Sequence, residues 1–598
     1  MISTPDRTSR LMALAAAALF AAAVFAHPAP GHAEGESSAA LVAEGKTALR
    51  KKDGIDAEVK LRAALGRGVP RDAVAAYLGE AYLLQDDREK ARAWLGGGAF
   101  TKDSAASGFR ALAALEQREG NLREAGLAFD RAVAFAPKDA ELWVEIGRLR
   151  YRGGEHQLAI DAAQYAVSLG PRNVRALEFQ GQLVRDRYGL AAALPWFEAA
   201  LMQAPEDVSV LLEYAGTLGE LNRASEAVTV TRRVLQLNPG NPYAYYLQAV
   251  LAARAGRFEL AKSLMNRTRG RLDEVPGSML LQGVIELAAG NYSVASEHFE
   301  RLLQRQPANS RAKLLLARSL YLGGEYRYLA RRLAGEIARP DASPYLLTVA
   351  ARAYEAQGRR DLAGPLLDRA AAPRSAPLQI VPDGTPIGEL LAAGRDAEAE
   401  ALIERDRAAA PGNYDNQVLA GDVQLALGRA QAAQERYTAA ATIRMPESLM
   451  LRRFQAYLLA RDGRGASQLV EGFLLENPTS DAAMRLAAWL AVQSGDYARA
   501  QSILEYLRAN GDDRDVQLLS DLALMQVRAG DLKAGEATAR SAYGLQRANP
   551  VAAQALGLSL AALETDRSDA LALLDKARRM MGDNPLLEQA RHRLADGG

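Results

Sequence analysis

ELWVEIGRLRYRGGEHQLAIDAAQYAVSLGP, residues Glu141–Pro171, holds in one stretch the positions that recur along this chain. Its Gly147 is one rung of a ladder of small residues spaced by 34: Gly45, Gly79, Ala113, Gly147, Gly181, Ala215, Ala249, Gly283, Ala317 and Ala351. Its Ala159 belongs to a second ladder twelve residues on, which runs Ala57, Ala91, Ala125, Ala159, Ala193, Ala227, Ala261 and Ala295, meets Leu329, and resumes at Ala363. Its Pro171 closes the unit, as do Pro137, Pro205, Pro239 and Pro307. A 34-residue period with small residues at fixed offsets is the signature of a helix-turn-helix repeat.

The spacing has a physical cause. Two antiparallel helices approach closely only where neither carries a large side chain, so each unit needs one small residue per helix. Four residues after the second-helix position comes a filler: Leu61, Leu95, Phe129, Ala163, Phe197, Thr231, Met265, Phe299, Leu333 and Leu367. The i, i+4 step places filler and small residue on one face, expected to turn toward the next unit. Gly120, Gly154, Gly256, Gly290, Gly324 and Gly358 mark the turn between helices, where a left-handed end costs least in glycine. Proline at the boundary loses no needed N–H.

With Trp143, Gly147, Ala159, Ala166 and Pro171 in place, this unit resembles a tetratricopeptide repeat, and so does AKLLLARSLYLGGEYRYLARRLAGEIARP, residues 312–340. The resemblance extends over nearly the whole chain. It implies an all-α, right-handed superhelical solenoid of about 15 repeats, with a concave groove lined by first helices that holds other molecules.

Composition agrees. Hydrophobic residues make up 49% of the 598, aromatics only 6%, and no long alternating run suggests strands. A solenoid grows by adding interfaces between neighbours, so this length does not demand several globular cores. Seventy-three basic residues face 72 acidic ones, a balance that points to neither a nucleic-acid partner nor a polybasic membrane patch. Of five histidines, His156, His298 and His592 lie beyond the N-terminal segment, far apart and without metal-ligand spacing, and there is no cysteine for a thiolate site. Gly45-Lys46-Thr47 imitates the end of a phosphate loop, but Ala40 stands where its first glycine belongs and Gly45 is already a ladder position. Glu141 and Glu145 have the i, i+4 spacing of a solvated helix face. The expectation is a protein that is not an enzyme and needs neither cofactor nor metal.

Arg7 and Arg10 precede the apolar run Leu11–Ala26, and Gly31 and Ala33 stand where a signal peptidase reads small residues. Residues 1–33 therefore read as a signal peptide and the mature chain as periplasmic, with no stable membrane span after cleavage. About 16 mostly alanine residues are few for a hydrocarbon core of roughly 30 Å. Without cysteine the exported chain has no disulfide and no lipobox anchor, and packing must hold it together. The repeats fall into two blocks: a regular solenoid over 34–371 and a less regular one over 387–598 that ends in a charged capping helix. Pro373, Pro377, Pro382 and Pro386 make 372–386 a linker, after which Thr385 caps a helix that opens on Pro386.

Carrying the family's groove positions onto this sequence gives Arg148, Tyr151 and Arg152; Arg175, Gln182 and Arg185; Tyr243, Tyr246 and Arg254; Arg318 and Tyr321; and Tyr345 and Arg352. Arginine and tyrosine stack, hydrogen-bond and pair with carboxylates, and these residues are expected to point away from the packing ladders and to bind a partner. The Asn/Lys pattern of repeats that clamp chaperone C-termini is not matched. The opening of the first block, DAEVKLRAALGRGVPRDAVAAYLGEAYLLQDDREKARAWL, is similar to tetratricopeptide proteins encoded beside exosortases and exopolysaccharide genes. That similarity implies a scaffold for envelope proteins in exopolysaccharide assembly or export. A guide for secreted polysaccharide, with groove tyrosines stacked on sugar rings, is the alternative, and an enzyme with an unrecognised site a third.

Overall fold

The structure is a computed structural model that describes residues 37–340, 342–371, 381, 385–582 and 584–596. The expected signal peptide and most of the expected linker lie outside them. Among the described residues the architecture is all-α, with 34 α-helices. They form sixteen consecutive pairs, one more than expected from sequence, the second helix of the ninth being split into Tyr326–Arg332 and Ala334–Ala338, followed by the final helix Pro585–Asp596. The chain divides into two compact units, Met1–Pro137 and Lys138–Gly598.

The first unit contains three pairs, Ser38–Arg50 with Gly54–Gly66, Arg71–Leu84 with Arg88–Leu95, and Ala105–Glu119 with Leu122–Phe135. Here the purpose of the ladders is visible. A Cβ placed on Gly45 would lie 2.7 Å from Leu61, and one on Gly79 would lie 2.3 Å from Leu95. The filler therefore packs over the small residue sixteen positions before it, inside its own unit. This corrects the expectation that it turns toward the next one. The reason is steric: the glycine, lacking a side chain, leaves a socket that takes a leucine without parting the helices.

The second unit repeats the device with aromatic fillers, Phe197 over Gly181, Phe299 over Gly283 and Tyr437 over Gly421. One unit departs from it. The filler after Ala159 is only Ala163, and the socket at Gly147 is taken by Phe179 of the next unit's first helix, 2.6 Å from where a Cβ would sit. The turn between helices also keeps its register where glycine is missing. Lys52, Asp86 and Asn222 hold φ of 60°, 57° and 61°, in line with the turn glycines at multiples of 34 residues. Beyond the proline-rich segment the left-handed position recurs at Gly394, Gly428, Arg461, Gly495, Gly530 and Glu564, so the drift seen in sequence amounts to single residues gained or lost in loops.

The coil of the second unit returns upon itself. Asn413 Nδ2 donates to Gly154 O at 3.2 Å, the Met445 amide to Asp186 O at 2.9 Å, and Thr479 Oγ1 to Glu220 O at 2.8 Å. Each partner pair is separated by 259 residues, about seven and a half repeats. Ends of three successive first helices thus rest on three successive loops between later repeats. One apolar cluster spans the contact, joining Val144, Ile160, Phe179 and Leu183 to Tyr414, Leu425, Tyr437 and Leu449. Two glycines are required by it. Gly154, at φ +80°, would put a Cβ 2.7 Å from Asn413, and Gly189, at φ +132°, would put one 2.7 Å from both Glu476 and Asn477. A side chain at either would be strained by conformation and blocked by space.

Candidate functional site

The thirteen groove positions lie on the first helices of the second unit or just inside them. Most are already engaged. Arg175 donates to Glu178 Oε2 and to Asp207 Oδ2 of the next repeat, both at 2.8 Å, and Arg148 reaches the same Glu178 at 3.5 Å. Ser209 Oγ also donates to Glu178, so this carboxylate, 2% exposed, sits in a complete shell of donors. Gln182 donates to Glu213 Oε1 at 3.0 Å, and Arg185 pairs with Glu213 at 2.9 Å and donates to Thr217 at 3.1 Å. The Tyr151 hydroxyl donates to Asp186, and Arg254 donates back to Gly219 O at 2.9 Å. Apart from Glu178, three residues from Arg175 on its own helix, these partners stand 28 to 35 residues away, on or at the start of neighbouring first helices. The residues therefore stitch repeat to repeat, which corrects the expectation that they stand apart from the packing. Arg152 donates to Arg148 O and Arg352 pairs with Glu355 at 2.6 Å, both along their own helices. Tyr246 is partly buried against Ala249 and Ala252, while Tyr243 is 51% exposed.

The three remaining positions, Arg318, Tyr321 and Tyr345, come together at one place. They line a cavity of about 870 Å3, and its opposite wall comes from residues about 200 positions later, among them Arg514, Gln517 and Gln546. Gln546 Nε2 closes one side by donating to Thr348 Oγ1 at 3.3 Å. Asp515 on the rim is neutralised by Arg485 at 2.8 Å and caps helix Val516–Arg528 with its other oxygen. Among the described residues Arg318 and Arg514 have no carboxylate partner, and both are exposed. Desolvation pushes the Tyr345 phenol above its usual range, while the Arg318 and Arg514 charges act to lower it. Leu322 and Leu545, 43% and 39% exposed, and Met581 give the cavity an apolar side.

Sequence reading missed half of this wall. Arg514, Gln517 and Gln546 precede, open or follow helices whose order in sequence says nothing of their nearness to Tyr345. It also missed the junction of the coil. There His156, 5% exposed, accepts the Tyr414 amide on Nδ1 at 3.1 Å. Arg444 stacks over Tyr414 at 4.2 Å. Burial, then Arg444, hold the imidazole below its ordinary range, so its neutral form makes the bond.

Among the described residues no cluster of His, Asp or Glu is placed to hold a metal ion, and no helix is long and apolar enough to cross a membrane. Models of the tetratricopeptide repeat match residues 144–208, 190–251, 280–327 and 485–553. No protein of curated function matches the chain. Among solved structures, it is similar to the APC/C hetero-tetramer Cut9–Hcn1, at 11% identity over 93% of this chain and 96% of that one, with a TM-score of 0.39. PilW, a type IV pilus biogenesis factor, is 20% identical over 35% of this chain and 98% of its own, with a TM-score of 0.31. PilF of Pseudomonas aeruginosa is 17% identical over 36% and 99%, with a TM-score of 0.32. The chain carries tetratricopeptide repeats, and these imply a protein-interaction scaffold.

Proposed function

We propose that this chain is a non-catalytic scaffold exported to the periplasm, where it holds proteins of envelope or exopolysaccharide assembly. The observation that carries the binding role is the cavity at Arg318, Tyr345 and Arg514. Elsewhere Arg148, Arg175, Arg185 and Arg254 join repeats, whereas here two cations from distant parts of the chain face one space. Export is supported by the apolar run Leu11–Ala26, with Arg7 and Arg10 before it and Gly31 and Ala33 behind it. The assembly role is supported by the similarity of the opening block to exosortase- and exopolysaccharide-associated proteins.

The test is fractionation of cells that express the chain, followed by N-terminal sequencing and affinity capture from envelope extract. The expected result is a periplasmic protein that begins near Glu34 and retains envelope proteins. Intact Met1 in the membrane pellet would refute export with cleavage. Tyr243 and Tyr345, 51% and 44% exposed, favour a second reading in which the inner surface guides a polysaccharide. Retention of the exopolysaccharide and no protein would select it.

A further inference from the structure

The cavity between the two blocks is more specific than a general inner surface. Its cationic groups are Arg318 from the first block and Arg514 from the second, and Tyr345 lines the same space. Asp515, the acidic residue among the described rim residues, is spent on Arg485 and its own helix cap. Two guanidinium groups with no carboxylate partner among the described residues attract a carboxylate, which each can bind in two-pronged fashion. Beside them Leu322, Leu545 and Met581 offer a surface for an aliphatic or aromatic side chain. A sugar polymer with acidic groups would satisfy the arginines but has no side chain for that apolar wall.

Resting on the scaffold reading, we infer that this cavity is a docking site for a partner protein's peptide segment in which an acidic residue lies next to a large apolar one. Because its walls come from helices about 170 to 230 residues apart in sequence, the site exists only while the coil is closed. Docking is therefore linked to closure: the peptide binds the closed coil and stabilises it.

A phage-displayed library of random linear peptides, selected on the full chain, tests this. Enrichment of sequences with Asp or Glu beside Leu, Ile, Val or Phe is expected, and a selected peptide should bind the Arg318→Glu/Arg514→Glu variant at least about tenfold more weakly. Leu322→Asp should weaken it as well, whereas Arg395→Ala, whose residue pairs with Glu398 outside the cavity, should not. Neither changed arginine has a carboxylate partner among the described residues, so melting should be preserved. Arg318→Gln/Arg514→Gln repeats the test without charge reversal. No enrichment, or equal binding by wild type and both double variants, would overturn the assignment. So would binding of oligogalacturonate through the same arginines in place of peptide. If envelope proteins are captured equally by wild type and variant, the scaffold reading stands and this site falls. If neither captures any, the scaffold reading itself falls.

Discussion

Replacing Gly421 by alanine strikes a socket whose filler cannot retreat. The new Cβ would lie 2.3 and 2.4 Å from two ring carbons of Tyr437, so the ring must move by about 1 Å to reach ordinary contact. At Gly45 the filler is Leu61, whose branched end can change rotamer. Tyr437 is fully buried, and its hydroxyl donates to Asp422 Oδ1 at 2.7 Å, where Arg452 also donates at 2.8 Å. Overpacking costs about 1–3 kcal/mol, and a strained or broken hydrogen bond to a buried carboxylate adds about 1–2 kcal/mol. We therefore expect Gly421→Ala to destabilise locally by about 2–5 kcal/mol, and Gly45→Ala by about 1 kcal/mol. Native-state hydrogen exchange reads each local value. Adding Tyr437→Phe releases the ring from its tether, so the double variant should lose less than the sum of the single ones. A Gly421→Ala cost below about 0.5 kcal/mol, or strict additivity with Tyr437→Phe, would refute the socket argument.

Two further outcomes follow from bonds described above. Lowering the pH from about 7.5 to about 5.5 should loosen the coil junction: the folded imidazole of His156 titrates below its ordinary 6.5, the unfolded chain takes up the proton first, and stability is lost as pH falls through that window. Exchange at the Tyr414 amide, corrected for intrinsic rate, should rise in that range. His156→Asn, which restores an acceptor that does not titrate, should flatten the response, and an unchanged response would argue against the junction as the cause. Arg175→Ala should lower stability by about 1–3 kcal/mol, because it strips the nearest cation from buried Glu178. Arg352→Ala, which loses one exposed pair, should stay within about 0.5 kcal/mol in chemical denaturation. Equal effects would contradict the stitching role assigned to the groove arginines.

The repeat was legible because it is local. Gly147, Ala159 and Pro171 each answer to contacts within one or two repeats, and a period of 34 displays such contacts directly. The direction of the fillers was not legible, since i, i+4 spacing fixes a face without saying which neighbour receives it; only the glycine sixteen residues earlier shows that. Phe179 in the socket of Gly147 was hidden for a related reason, because the small filler Ala163 is replaced by a residue outside the repeat pattern. The groove list combined two populations. Arg175 and Arg185 have partners about one repeat away, which charge patterning could have suggested, as Arg175 with Asp207 and Arg185 with Glu213 recur near the 34-residue step. Arg318 and Tyr345 belong to a cavity whose other half, Arg514 and Gln546, depends on the pitch of the coil. Pitch accumulates from small rotations at every interface, and no single repeat records it.

The bonds at a separation of 259 residues impose an order in time. Gly154, Asp186 and Glu220 leave the ribosome long before Asn413, Met445 and Thr479, and at roughly 5–20 residues per second the interval is about 13–50 s. During that interval the earlier half of the second unit holds its partner surface, including Val144 and Phe179, without the residues that later cover it. Such a surface is a ready target for a second nascent copy, since the loops around Asn413 and Thr479 of one chain fit the helix ends of another as well as their own. A folding aid that shields residues 144–220 until the chain is complete would raise the yield of monomer, and the same loops exchanged between two chains would give a domain-swapped dimer.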